Sequence, residues 1–164
     1  MNRKQIERFI HKVYPCHNIQ VKYYKNTSDL VFAKSKSECS YLMECLSFTN
    51  WLNDYGSIYL NLNFIRGKQY TKRNGIFLKC AILHELGHFH LSHLGLKSDM
   101  ELEAQLFAIR AAEKFKMCRI QKALVYWLWA WGISDDNVYK KAYDLSLDNK
   151  ECKEYYRCFG YSIP

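Results

Sequence analysis

A long, largely apolar segment without proline runs from Ile76 to His93 and limits the folds open to this chain. Its length fits a buried helix better than a strand, because strands usually end after about four to eight residues. Gly95 follows at a position where a glycine commonly ends a helix. The sequence therefore predicts one long buried helix over residues 76–93.

The residues before this helix show first a helical and then a strand-like periodicity. Apolar residues at helical spacing, closed by Pro15, predict an amphipathic helix over residues 3–14. Four strands are predicted after it, at Ile19 to Tyr24, Leu30 to Lys34, Tyr41 to Phe48 and Ser57 to Phe64. Apolar and polar residues alternate cleanly in the last strand, which predicts one face in the core and the other in solvent.

Helical signals return after the apolar segment. Ser98 or Asp99 can cap a helix that runs to about Lys116, and Arg119 to Trp131 forms another. Ser134 can cap a last helix from Asp135 to about Leu147. The order of elements predicts an α+β fold with an N-terminal helix and a small, mostly antiparallel sheet. We expect a single domain over residues 1–164, with a core in 1–116 and a helical extension in 117–164.

Composition narrows the class of protein without naming a function. A chain of 164 residues with 49% hydrophobic content can bury its own core. The net charge of +8 would favour acidic partners, nucleic acid or an anionic membrane. The basic residues are scattered, apart from small clusters at Lys68 to Arg73 and at Lys140 and Lys141. Such scattering is typical of a solvated surface.

Cysteine usage and hydropathy predict a cytoplasmic protein that does not enter a membrane. The seven cysteines are an odd number, and no Cys-x-x-Cys pair occurs in the sequence. This disfavours a complete disulfide framework and a thiolate zinc site. No secretory signal is visible at the N-terminus. The longest apolar run, Ala123 to Trp131, is far shorter than the roughly 20 residues that span a bilayer.

The predicted long helix carries the sequence His84-Glu85-Leu86-Gly87-His88. Residues four apart lie on one face of a helix, so His84 and His88 can offer imidazole nitrogens to one zinc ion. Glu85 lies next to that face, where it can take a proton from water without being a ligand. The spacing therefore predicts a zinc site for hydrolysis, with Glu85 as the general base.

A catalytic zinc site normally has three protein ligands, so a third is needed. The nearby choices are His90, His93, Asp99, Glu101 and Glu103. The metzincin pattern would require histidine where Leu94 stands. His90 and His93 turn away from the metal face if the helix continues, so both are interpreted as helix-end or surface residues. Glu101 is favoured because a helical hairpin would bring it back, although Ser98 to Glu101 also resembles a capping box.

Two motifs together resemble the ImmA/IrrE metallopeptidases, which belong to the gluzincin class. They are the HELGH segment at 84–88 and the Glu-x-x-Ala-x-x-Phe-Ala segment at 101–108. The resemblance implies a zincin-like core in which zinc is bound by His84, His88 and Glu101, with Glu85 as general base. Family members cleave transcriptional repressors, which implies a protein substrate here. The chain departs from the family after Ala108, where no Leu-Leu-Met-Pro-like segment follows.

The C-terminal helical segment and one predicted strand each suggest a further function. Val125 to Trp131, then Gly132 and another helix, has the outline of a helix-turn-helix, so a nucleic-acid-binding protein with a structural or degenerate zinc site is the alternative. A packed helical hairpin is the simpler interpretation of this segment. The strand Ser57 to Phe64, if it lay at the sheet edge, could pair with an extended peptide.

Overall fold

The structure of the chain, a computed structural model, describes residues 1–15, 19–30, 33, 35–38, 40, 47–52, 55–63, 72–93 and 97–163. Its residues form two units, Met1–Glu85 and Leu86–Pro164. The division falls inside one continuous helix, α2, which spans Lys72–His90. The predicted long buried helix is thus confirmed, although it starts before Ile76 and ends before His93.

The first unit begins with helix α1, Arg3–Val13, close to its predicted bounds. Asn2 caps this helix: its side-chain oxygen accepts from the Gln5 amide at 3.0 Å, and the Gln5 side chain accepts from the Asn2 amide at 2.8 Å. This reciprocal pair satisfies two amide groups that a helix start otherwise leaves open. The apolar stripe at helical spacing is buried, as predicted, and consists of Ile6, Phe9, Ile10 and Val13.

A three-stranded sheet follows, with strands β1 at Gln20–Tyr24, β2 at Ser47–Leu52 and β3 at Tyr55–Asn61. The strand order is β1-β3-β2. β3 pairs with β2 in the antiparallel sense and with β1 in the parallel sense, with Val21 opposite Ile58. The broad α+β class is confirmed, but the expectation of a mostly antiparallel sheet is wrong, because turn signals do not reveal which strands become neighbours.

The central place of β3 overturns two expectations. The hypothesis of an edge strand is wrong, because β1 and β2 occupy both sides of β3. The expected solvent face is also wrong: Tyr59 and Asn61 are buried along with Ile58 and Leu60. Lys22 contributes to covering the polar face, with its ammonium nitrogen 3.4 Å from the Tyr59 hydroxyl. The alternation of apolar and polar residues therefore predicted the strand correctly, but it did not predict that the polar face is buried.

Parts of the predicted sheet and loops lie outside the described residues. This holds for most of Leu30 to Lys34, for 41–46 in the predicted strand Tyr41 to Phe48, and for Leu94 and Gly95. Most of the basic cluster at Lys68 to Arg73 also falls there. Leu30 itself directly follows a short 3-10 turn, Thr27–Asp29.

The second unit is helical after the end of α2. It contains α3 at Ser98–Lys114, α4 at Cys118–Ala130, α5 at Asn137–Asp148 and α6 at Lys150–Phe159. The first three were predicted within a few residues, and α6 was not predicted. Asn149 separates α5 from α6 and caps α6 by accepting from the amides of Glu151 and Cys152. Within the described residues, no helix combines the length and apolar content that a bilayer crossing requires.

Caps and buried contacts define the packing of these helices. Asp136, not Ser134, caps α5 by accepting from the Val138 amide at 2.8 Å. The buried Gln105 side chain donates to the Leu124 carbonyl at 2.7 Å and so joins α3 to α4. Gly132 lies in a 3-10 turn, where an added Cβ would be 2.8 Å from the Tyr143 ring. This contact agrees with a packed helical hairpin in the C-terminal segment.

Candidate metal centre

Helix α2 places the two histidines and the glutamate of the HELGH segment. The helix is continuous from Lys72 to His90, so His84 and His88 lie on one face, one turn apart. His88 and Glu85 are buried, and His84 is half-buried. The expected common face is therefore present in a segment largely removed from bulk water.

Helix α3 brings Glu101 to this face. Lys97 is the N-cap of α3 and makes no side-chain capping bond, and the Glu101 amide donates to the Lys97 carbonyl at 3.0 Å. The alternative that Glu101 closes a capping box started by Ser98 is therefore wrong. The Glu101 carboxylate instead points inward, with Oε1 3.2 Å from His88 Nε2, and its side chain is 3% exposed.

These side chains form a group that could hold a metal ion. One ligand atom each from His84, His88 and Glu101 lies within 4.8 Å of the other two. Two imidazole nitrogens and a carboxylate oxygen provide lone pairs toward one point, and burial of the carboxylate favours a cation there. The sequence predicted the same three residues as ligands.

Gly87 allows α2 and α3 to approach closely at this site. A Cβ added at Gly87 would be 2.6 Å from the carbonyl oxygen of Ala104 and 2.7 Å from its Cα. Both atoms belong to the backbone, so no side chain can move aside to make room. The small residues at these two positions therefore set the spacing that brings Glu101 to His88.

Replacing Gly87 by alanine is expected to destabilise the protein by about 1–3 kcal/mol, the usual cost of forcing atoms into a packed core. The same displacement should weaken metal binding, because it moves Glu101 away from His88. Chemical denaturation and metal titration measure the two effects.

Gly75→Ala is the matched control on the same helix, because no atom of the described residues lies within 4 Å of a Cβ added there. It should stabilise the helix by about 0.5–1 kcal/mol through the better helix propensity of alanine. If both variants changed stability in the same direction, the close contact at Gly87 would not be limiting.

Glu85 is held by a residue that the sequence did not point to. Ser47, the first residue of β2, donates its hydroxyl to Glu85 Oε1 at 3.0 Å. A serine at the start of a strand carries no sequence signal for such a contact, so only the fold reveals it.

The two other histidines of this region have separate roles. His90 is exposed, and its ring packs on Phe107 with centroids 5.0 Å apart, as expected for a residue away from the metal face. His93 lies just beyond the end of α2, which agrees with its interpretation as a helix-end residue, but its side chain is only 6% exposed, so the alternative of a surface residue is wrong. Its Nδ1 atom lies 3.1 Å from Nδ1 of His88.

The described cysteines do not join the metal group. Cys118, Cys152 and Cys158 are free thiols, Cys80 is buried within α2, and Cys16, Cys39 and Cys45 lie outside the described residues. Burial raises the pKa of both Cys80 and Cys152 to about 12. These two thiols therefore stay protonated at neutral pH, which makes them poor metal ligands.

Comparisons with protein-family models, with curated proteins and with solved structures give no match. The resemblance to the ImmA/IrrE metallopeptidases therefore depends on the residues of the two motifs alone.

Proposed function

We propose that the protein is a zinc metallopeptidase, an endopeptidase that hydrolyses a peptide bond in a protein substrate. The observation that carries this proposal is the convergence of His84, His88 and Glu101, with Glu85 next to them on the same helix. Two histidines and a glutamate are a ligand set found in hydrolytic zinc enzymes. Together with the motif order, they support a zincin-like core of the gluzincin type.

Zinc, when bound, would supply a Lewis acid that lowers the pKa of water and polarises the scissile carbonyl. The protein's own contribution is the placement of Glu85. Its Oε1 accepts from Ser47 at 3.0 Å, which helps to hold the carboxylate in place. Glu85 takes the proton of the attacking water and delivers it to the departing amine, the usual work of a general base and acid.

A catalytic site differs from a structural one in its number of protein ligands. A structural zinc site is closed by a fourth protein ligand, whereas a catalytic site keeps that position for water. Among the residues that the structure describes, the group has three members. This supports the catalytic proposal over a nucleic-acid-binding protein with a structural zinc site.

The substrate class follows from the reaction and from the resemblance. We propose a protein substrate, with a transcriptional repressor as the specific candidate from the resemblance. The net charge of +8 supports acidic segments in that partner, because opposite charge speeds encounter. Nucleic acid is the alternative partner, because the positive net charge would also favour its phosphates.

Zinc content tests the metal part of the proposal. Protein purified without chelator should contain about one zinc per chain by mass spectrometry, and His88→Ala should contain almost none. Excess zinc should stabilise the metal-free protein by about 4 kcal/mol when free zinc is 1,000 times its Kd.

His90→Ala is the matched control, because His90 is an exposed histidine on the same helix that packs on Phe107. This variant should retain zinc. Wild-type protein without bound zinc, and without a zinc-dependent rise in Tm, would refute the proposed function.

A further inference from the structure

The end of helix α2 folds back over its own last turn. The Ser92 amide donates to the Phe89 carbonyl at 3.2 Å, and the His93 amide donates to the His88 carbonyl at 3.0 Å. Ser92 has a φ of 54°, the left-handed conformation that this pair of bonds requires. Such a cap brings the residue that follows the left-handed position close to the residue five positions before it. Here those residues are His93 and His88.

Their side chains continue into a chain of hydrogen bonds that leads to solvent. His88 Nδ1 and His93 Nδ1 are 3.1 Å apart, and His93 Nε2 lies 3.1 Å from Oε2 of Glu103. The Glu103 side chain is 61% exposed, whereas that of His93 is 6% exposed. The chain therefore starts at a buried proposed metal ligand and ends at a carboxylate in water.

When both rings are neutral, the hydrogen-bond partners assign their tautomers. An ionised Glu103 only accepts hydrogen bonds, so a neutral His93 carries its proton on Nε2 and presents Nδ1 as an acceptor. His88 must then donate from its own Nδ1. This leaves the lone pair of His88 on Nε2, the atom that lies 3.2 Å from Glu101 Oε1 at the centre of the proposed site.

We infer that His93 is a positioning residue for the metal centre, acting through its hydrogen bond to His88 and supported by Glu103. The inference depends on the proposed function, because it assigns His88 Nε2 to the metal. Histidine ligands usually donate their other ring N–H to a fixed acceptor, and loss of that acceptor typically weakens metal binding about 10- to 100-fold. In this chain the acceptor is a second histidine at the end of the same helix.

Two substitutions at one position separate a hydrogen-bonding role from a packing role. His93→Leu keeps much of the side-chain volume but removes the acceptor. His93→Asn is smaller, but its Oδ1 can take the place of the Nδ1 acceptor. Zinc affinity is measured by competition with a chromophoric chelator, and the visible spectrum of the Co²⁺-substituted protein reports on ligand geometry. Thermal unfolding of the metal-free variants checks that each one folds.

A hydrogen-bonding role predicts that His93→Leu binds zinc about 10- to 100-fold more weakly, with an altered Co²⁺ spectrum. His93→Asn should lie closer to the wild type in both measurements. Weaker binding by His93→Asn than by His93→Leu, or wild-type affinity in His93→Leu, would overturn the inference while the proposed function stands. Absence of zinc binding in the wild type would overturn both.

Discussion

The Glu85→Gln variant is expected to lose peptide hydrolysis by about 10²- to 10⁴-fold while it keeps its zinc, because the substitution removes the proposed general base and none of the proposed ligands. Glutamine has nearly the same shape as glutamate, and its carbonyl oxygen can still accept the hydrogen bond that Ser47 donates at 3.0 Å. The amide cannot take a proton from water at neutral pH. The loss should therefore appear in the rate of the chemical step.

Cleavage of casein and of a random peptide library, followed by mass spectrometry, measures this loss alongside the zinc content. Glu154→Gln is the matched control, because Glu154 is exposed on α6 and its replacement by glutamine changes the charge in the same way. It should cleave as the wild type does. Equal activity in wild type and Glu85→Gln would assign the cleavage to a contaminant or to a different base.

Helices α1 to α5 could be predicted because their signals are local. Apolar spacing located α1 and its buried stripe, and the proline-free apolar segment located α2. The three metal-site residues followed from the same local logic, since two of them lie one turn apart on α2. Glu101 required one further step, the hairpin that returns α3 to α2, and the close contact of Gly87 with the Ala104 backbone became visible only in the fold.

The features that could not be predicted depend on contacts distant in the sequence or on exact helix ends. The parallel pairing of β1 with β3 joins segments that no turn connects, and Asn61, which lies opposite Tyr24 in that pairing, is buried. Ser47 reaches Glu85 only because β2 begins there. His93 turns back to His88 because α2 ends at His90 and Ser92 takes a left-handed conformation that favours glycine. A continuous helix would have turned His93 away.

A second large effect is expected at Glu101, the proposed third ligand. Glu101→Ala should weaken zinc binding by at least about 100-fold, because loss of a group that only supports a ligand already costs about 10- to 100-fold. The Glu101 carboxylate lies 3.2 Å from His88 Nε2 and is almost fully buried. A water molecule that took its place in the variant would be neutral and would not supply the lost negative charge. The zinc affinity of Glu101→Gln should fall between those of the wild type and Glu101→Ala, since the amide oxygen of glutamine is a neutral ligand.

Isothermal titration with zinc measures the affinities, and thermal unfolding of the metal-free proteins shows whether the fold survives. Glu113→Ala is the matched control, an exposed glutamate three turns further along α3 that accepts from the Tyr155 hydroxyl at 2.9 Å. Its zinc affinity should equal that of the wild type. An unchanged affinity in Glu101→Ala would give the third ligand position to His93 or Glu103. The hydrogen bonds that join His88 to His93 and His93 to Glu103 would then have to rearrange, because His93 cannot bind metal through a nitrogen that accepts from His88.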